Sequence, residues 1–181
     1  PEDTILVDDP SLLAKNMKGY QNLSILSSMG YIEGLYGLYP RVDKELVSKY
    51  REGLIALTGG ITSEIPELIL NVGETQAEDA FKWWLDLFGD DFYVELNRHG
   101  LEEEDHINKV LLKFAKKYNV KVIAANNCFY LNKEDSHTQD ILLCIGNAEY
   151  QSTPVGSGRG YRFGFPNEEF YFKTQEEMKA L

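Results

Sequence analysis

Apolar residues recur along this chain with two different periods. Three short runs are apolar almost throughout: Gly53-Leu-Ile-Ala-Leu-Thr, Asp91-Phe-Tyr-Val-Glu-Leu and Val120-Lys-Val-Ile-Ala-Ala. Such runs predict strands buried on both faces. Between them, Glu74 to Phe88 places Ala77, Ala80, Phe81, Trp84, Leu85 and Phe88 at i, i+3, i+4 spacing. Glu102 to Tyr118 does the same with Ile107, Val110, Leu111, Phe114, Ala115 and Tyr118. Both read as amphipathic helices. Ahead of them, Ser11-Leu-Leu-Ala reads as the end of a strand, and Tyr20 to Gly30 as a helix stopped by Gly30. Asp43 is placed to cap a short helix through Tyr50, with Leu46, Val47 and Tyr50 on one face. After the third strand, Glu134 to Cys144 reads as a helix, residues 146–167 as a Gly-rich loop and Phe170-Tyr-Phe as a short strand. Thr174-Gln-Glu-Glu is a capping box that opens a last helix. Residues 1–10 are acidic and irregular, and 11–173 form one βα domain. Strands alternating with helices predict parallel βα units, in either a doubly wound sheet or a (β/α) barrel.

Composition narrows the function classes. The 181 residues are 43% hydrophobic and 26% charged, which is globular and not disordered. Eighteen basic residues against 29 acidic ones leave a net charge of −11. Phosphate backbones repel such a surface, which argues against nucleic-acid binding as the chain's own main activity. No apolar run approaches the ~20 residues that span a bilayer, and the acidic start is not a signal peptide. Cys128 and Cys144 sit in apolar segments and read as buried free thiols of a reducing cytoplasm. The chain opens on Pro1 without an initiator Met and stops at Leu181 inside a predicted helix. It is therefore expected to be part of something longer.

Working residues of parallel βα folds cluster at strand C-terminal ends. Here those ends carry Thr58-Gly-Gly, Asn97-Arg-His-Gly and Asn126-Asn-Cys-Phe. His99 is the one group among them that titrates near neutrality, and Glu95 lies four residues before it. Glu95, Asn97, His99 and Asn126 are thus candidate cleft residues. The plainer reading of His99 is a side chain that hydrogen-bonds backbone and shapes the turn before Gly100. His106 and His137 sit at helix starts among acidic residues and read as solvated termini. No histidine pair at helical spacing and no Cys-x-x-Cys exists, so a zinc site is not expected. Gly156-Ser-Gly-Arg-Gly lacks the P-loop pattern and reads as a flexible surface insertion. Its Arg159 and Arg162 are free to meet an acidic partner or a phosphate. Trp84 belongs to a buried stripe that Trp83 flanks.

From Leu12-Leu-Ala-Lys-Asn-x-x-Gly-Tyr-x-Asn-Leu onward the chain resembles a known family. The likeness continues through Pro40-Arg-Val-Asp, Glu52-Gly-Leu-Ile-Ala-Leu, Phe88-Gly-x-Asp-Phe-Tyr-x-Glu-Leu-x-Arg-His-Gly and Ala125-Asn-Asn. It ends with Asp140-Ile-Leu-Leu-Cys-Ile and Phe170-Tyr-x-Lys-x-x-Glu-Glu-Met. These strings run in order over about residues 11–181. They resemble the second part of the polymerase and histidinol phosphatase (PHP) domain that opens bacterial DNA polymerase III alpha subunits. The resemblance implies an α/β fold, a partial, distorted (β/α)7 barrel that lacks its first strands. Its His-x-His strand is absent, and residues 174–181 would begin the segment leading to the polymerase palm.

The resemblance also implies a metal site, and the ligand positions are substituted. A ligand His falls near Asp9, a Cys at Gly60, and an Asp and a His at Asn127 and Phe129. Gly60 and Phe129 offer no donor and Asn127 a poor one, so no metal or catalytic residue is expected here. The implied function is a scaffold inside a replicative polymerase, whose DNA synthesis uses magnesium. Implied partners are the rest of the alpha subunit and the proofreading exonuclease subunit, with DNA met only through the parent protein. The competing reading is an active metal-dependent phosphoesterase or exonuclease. Without the first strands, unpaired backbone groups and the apolar faces of Leu12, Leu13 and the Gly53–Leu57 strand should be exposed. A second copy or a rearrangement near residues 1–15 would then cover them.

Overall fold

The computed structural model describes residues 4–6 and 11–181. It is a mixed α/β protein with seven α-helices and six strands among the described residues. Strands β1 (Thr4–Leu6) and β3 (Arg41–Asp43) form an antiparallel pair, so residues 4–6 are regular where irregular chain is expected. The main sheet has the order β2-β4-β5-β6. Its strands are β2 (Leu12–Ala14), β4 (Leu54–Leu57), β5 (Phe92–Leu96) and β6 (Lys121–Ala124). Strand β2 is antiparallel to β4, and β4 is parallel to β5.

The chain divides into two compact units. The first comprises Pro1–Leu96 and Glu102–Ile123, and the second Asn97–Leu101 and Ala124–Leu181. In the first, α1 (Met17–Ile32), α2 (Lys44–Lys49), α3 (Glu64–Asn71), α4 (Glu74–Phe88) and α5 (Glu102–Tyr118) pack with the sheet. The amphipathic periods of α4 and α5 fall where they are predicted. Ala77, Ala80, Phe81, Trp84 and Phe88 are buried from the one, and Ile107, Val110, Leu111, Phe114 and Ala115 from the other. Phe81 meets Phe92 edge-on at 5.1 Å and Phe114 at 5.5 Å, so both helices and β5 share one aromatic centre. Lys113 pairs with Glu74 and Lys117 with Glu78, so α4 and α5 run in the same direction. Trp83 flanks Trp84, whose indole N–H donates to Glu64 at 2.8 Å and ties α4 to α3.

One seam joins α1 to the turn before β4. Asn16 caps α1 by accepting the Gly19 N–H at 3.0 Å. The Lys15 N–H donates to the Gly53 carbonyl at 2.8 Å, and buried Asn22 donates to the Glu52 carbonyl at 2.8 Å. A Cβ on Gly19 would stand 1.9 Å from the Gly53 oxygen, so only glycine lets these backbones meet.

Several expectations change. Helix α1 does not stop at Gly30, which is buried within it; it ends at Ile32, and Gly34 follows with no room for a Cβ beside the Arg41 carbonyl. Helix α3 has no counterpart in the sequence reading. The face of β4 is not exposed, because β2 and β5 flank it and Leu54, Ala56 and Leu57 are buried; among the described residues the edge strands are β2, where Leu13 is half exposed, and β6. Strand β6 is not buried on both faces: Lys121, Val122 and Ala124 are exposed.

In the second unit, a 3₁₀ turn (Lys133–Asp135) leads into α6 (Ser136–Asn147), which runs three residues beyond the predicted Cys144. Phe170-Tyr-Phe is not a strand but contributes one parallel bridge, Tyr130 to Tyr171. The Thr174 capping box forms as predicted and opens α7 (Gln175–Ala180). Cys144 is buried but Cys128 is exposed, contrary to its apolar neighbourhood in sequence.

Candidate functional site

In the first unit the end of β4 turns sharply. Gly59 has φ of +76°, and a Cβ there would collide with the Ser63 hydroxyl. The Gly60 carbonyl accepts the Ser63 N–H at 2.9 Å just before α3, so Gly60 contributes backbone to a turn. The Thr58 hydroxyl accepts the Glu95 N–H at 2.9 Å, which locks the ends of β4 and β5 together. Glu95 itself is buried on β5.

The other candidates lie in the second unit, where two loops are stitched together. Asn97 donates through its side chain to the Ala125 carbonyl at 2.6 Å. Asn126 bonds Arg98 twice, accepting its N–H through Oδ1 and donating to its carbonyl through Nδ2, each at 2.8 Å. His99 is almost wholly buried, and its Nε2 accepts the Asn127 backbone N–H at 3.0 Å. The same Nε2 lies 3.3 Å from the Asn127 carbonyl oxygen, so the imidazole faces the backbone of residue 127. The ring stacks on Phe170 with centroids 4.4 Å apart. The plainer reading of His99, a turn-shaping histidine bonded to backbone, matches this geometry.

Around Phe170 the rings continue. Phe165 stacks on it at 4.8 Å, and Phe129 lies 4.7 Å from Phe165. The Phe129 N–H donates to the Phe170 carbonyl at 2.8 Å. The position where the family resemblance implies a ligand imidazole is thus a packing position. Asn167 extends the network by donating to the His99 carbonyl at 2.7 Å and accepting from the Glu169 N–H at 2.9 Å. Phe165 and Asn167 escape the sequence reading, and Phe170 enters it only as part of a short strand and of the family strings. Their signal is the aromatic alternation at 163 and 165 and again at 170 and 172, some 70 residues from His99.

The Gly-rich loop differs from expectation. Its Arg162 does not reach outward: it is buried and holds Asp140 of α6 with two bonds, 2.6 and 2.9 Å, while its Nε donates to the Thr153 carbonyl at 2.8 Å. Arg162 holds the Asp140 carboxyl below the usual carboxylate range, partly opposed by desolvation and assisted by Gln151. Arg159 stays exposed between Gly158 and Gly160, both at positive φ. His137 is exposed and meets Gln151 at 3.3 Å, while His106 is exposed in the acidic first turn of α5.

Metal chemistry of the family type requires carboxylate or imidazole donors converging on one point. Gly60, Asn127 and Phe129 do not fit that requirement, and Asp9 lies outside the described residues. Among the described residues, no three or more His, Cys, Asp and Glu side chains form a group able to hold a metal ion. Among them, too, no helix is long and apolar enough to cross a membrane.

Comparison with known proteins places this arrangement. The chain is 42% identical over 171 residues to the DNA polymerase III subunit alpha of Thermus aquaticus, a match covering 94% of this chain and 13% of that protein. It is 42% identical over 170 residues to the subunit of the same name from Borreliella burgdorferi, covering 94% of this chain and 14% of that one. The corresponding Treponema pallidum protein is 40% identical over 171 residues. The chain therefore spans about one seventh of the length of the curated relatives it matches. The family model described as the PHP domain matches residues 8–99, from the segment before β2 through β5 to His99, and the chain belongs to the PHP domain family.

Proposed function

We propose that this chain is a non-catalytic PHP scaffold of a bacterial replicative DNA polymerase alpha subunit, with the family's metal site lost. The observation that carries the reading is the fate of the ligand positions. Gly60 gives only a carbonyl to a turn, the Asn127 N–H binds His99, and the Phe129 ring packs with Phe165. Each of these three described positions serves folding, and none of the three presents a charged donor.

On this reading the chain is part of a distorted (β/α)7 barrel, and residues 174–181 lead toward the palm. The parent protein is cytoplasmic and synthesises DNA with magnesium held outside this chain. The scaffold supports the rest of the alpha subunit and offers a contact to the proofreading exonuclease subunit. DNA is met through the parent, since a net charge of −11 opposes direct binding.

The test is elemental analysis of the purified, tag-free chain after dialysis against a mild chelator, together with hydrolysis of a model phosphodiester. The expected result is substoichiometric zinc and manganese and no hydrolysis above the blank. One retained metal per chain, or metal-dependent hydrolysis, overturns the reading in favour of an active phosphoesterase.

A further inference from the structure

The first unit holds a cation that the fold leaves without a partner. Arg41 opens β3, and its backbone is fixed against Gly34. Its N–H donates to the Gly34 carbonyl at 3.1 Å, and its own carbonyl oxygen would lie 1.8 Å from a Cβ on Gly34. Its guanidinium lies 4.6 Å from the centre of the Tyr36 ring, and Nε is buried with no hydrogen-bond partner. Among the described residues the Arg41 side chain makes no hydrogen bond and no ion pair. Arg162 in the second unit shows the contrast. Its guanidinium is held by the Asp140 carboxylate at 2.6 and 2.9 Å and by the Thr153 carbonyl at 2.8 Å. A guanidinium has five N–H groups and cannot discard its charge. The face of an aromatic ring attracts the cation but takes the place of no acceptor in the plane of the fork. A buried donor left in this state marks a place for water, an ion or a ligand.

Arg41 as a whole is partly exposed and lines a groove of about 530 Å³ between the end of α1, β3 and α2. Met29, Val42 and Leu46 give that groove apolar walls, and Glu33, Asp43 and Glu45 give it acidic ones. Asp43 is committed to α2, where it accepts the Leu46 N–H at 2.7 Å. The groove's other cation, Lys49, lies 5.3 Å from the centre of the Tyr50 ring and is a point charge without a fork. These walls sort the anions that a guanidinium fork takes, which are carboxylates and phosphates. Repulsion from the acidic walls is about twice as large for a doubly charged phosphate as for a singly charged carboxylate. The apolar walls favour an acid that carries an aliphatic group beside its charge.

We propose that this groove is a carboxylate site, in which the Arg41 fork pairs with an acid whose aliphatic group rests on Met29, Val42 and Leu46. The same chemistry comes from an Asp or Glu beside a leucine in a protein segment, or from a small free aliphatic acid. The site is independent of the scaffold reading, since it involves none of the ligand positions.

The test is titration of the 181-residue chain with 4-methylpentanoate and, separately, with the blocked peptide acetyl-Leu-Glu-Leu-amide. Two-dimensional NMR follows the arginine Nε–H signal that correlates with the backbone of residue 41. That signal is expected to move saturably with at least one of the two, with half-saturation at about 1 mM for ligands of this size. Saturation at lower concentration by the peptide assigns the site to a protein segment, and by the free acid to a small molecule. The neutral isostere 4-methylpentanamide should leave the signal in place, and inorganic phosphate should need about tenfold more than the better acid. Arg41→Lys keeps the charge and loses the fork, so it should weaken binding about tenfold, read on the Val42 and Leu46 amides. No saturable shift with either acid overturns the proposal. An equal response to the amide, tighter binding of phosphate, or undiminished binding by Arg41→Lys overturns it equally. The comparison among ligands uses the unaltered chain, so it decides the matter even where the variant fails to fold.

Discussion

Replacing Gly19 by alanine tests the seam that joins α1 to β4. In an isolated helix this substitution is favourable by up to about 1 kcal/mol, because alanine loses less backbone entropy than glycine. Here the new Cβ would stand 1.9 Å from the Gly53 oxygen. Real contacts of that kind lie beyond about 3 Å, so the backbones must part by roughly 1 Å. Overpacking of this sort costs about 1–3 kcal/mol or somewhat more. Parting also strains the Lys15–Gly53 hydrogen bond, which sits where β2 joins β4 and contributes about 1 kcal/mol net. The net expectation is a loss of about 2–4 kcal/mol, a large share of a typical total of 5–15 kcal/mol. Gly146 is the control, since it is also helical but a Cβ there meets nothing within 4 Å. Gly146→Ala should stabilise α6 by about 0.5–1 kcal/mol. Urea titration followed by tryptophan fluorescence reads the first unit, where Trp83 and Trp84 both lie, and amide exchange reads α6. If Gly19→Ala is neutral or stabilising, the close approach of the two backbones is refuted.

Asp140→Asn should lower the urea midpoint at neutral pH, and the gap to wild type should close as pH falls. The Asp140 carboxyl titrates below its unfolded value of about 3.9, so its contribution is present above that value and is lost on acidification through the folded one; a gap unchanged at pH 2.5 contradicts this. A native thiol assay should find one fast-reacting cysteine, Cys128, and a second, Cys144, only after denaturation; two fast thiols would place Cys144 wrongly. Phe170→Ala should cost about 3–5 kcal/mol in the second unit and speed amide exchange at Asn127 and Phe129, because it removes the ring on which His99 and Phe165 stack; unchanged exchange there would show that the ring cluster does not hold the loops.

The long helices are legible in the sequence because four turns of a strict amphipathic period leave one solution, as in α4 and α5. Short elements are not. Helix α3 has eight residues, includes Pro66 and buries Ile65, Pro66 and Ile69, too few positions for a period to emerge. Gly34 gives no sign in sequence of the approach of the Arg41 carbonyl that leaves no room for a Cβ there. Strand β6 carries the same apolar letters as β4 but sits at a sheet edge, and Cys128 sits among apolar neighbours yet faces water; neighbours in space set both exposures. The candidate site divides in the same way. Its residues 97–99 and 126–127 are readable as strand ends. The pairing of His99 with Phe170 and Asn167 is not, because those partners lie about 70 residues away.

The strings through which this chain resembles its family carry geometric duties, and the seam shows which. Lys15, Asn16, Gly19 and Asn22 each engage either the 52–53 turn or the start of α1, and Glu52 and Gly53 answer them. Asn97, Arg98 and His99 answer Ala125, Asn126 and Asn127 in the same manner. Strand ends of a βα fold carry backbone groups that must be paired, and a metal cluster with its ligands is one way to organise them. Here amide side chains and stacked rings organise them instead. Introducing a carboxylate at position 127 and an imidazole at 129 would therefore not by itself make a metal site. The His99 imidazole would still face the backbone of residue 127, the Phe129 packing against Phe165 would be gone, and Gly60 would still lack a donor. On the scaffold reading proposed above, these two positions are committed to holding the loops, Asn127 through its backbone N–H and Phe129 through its ring.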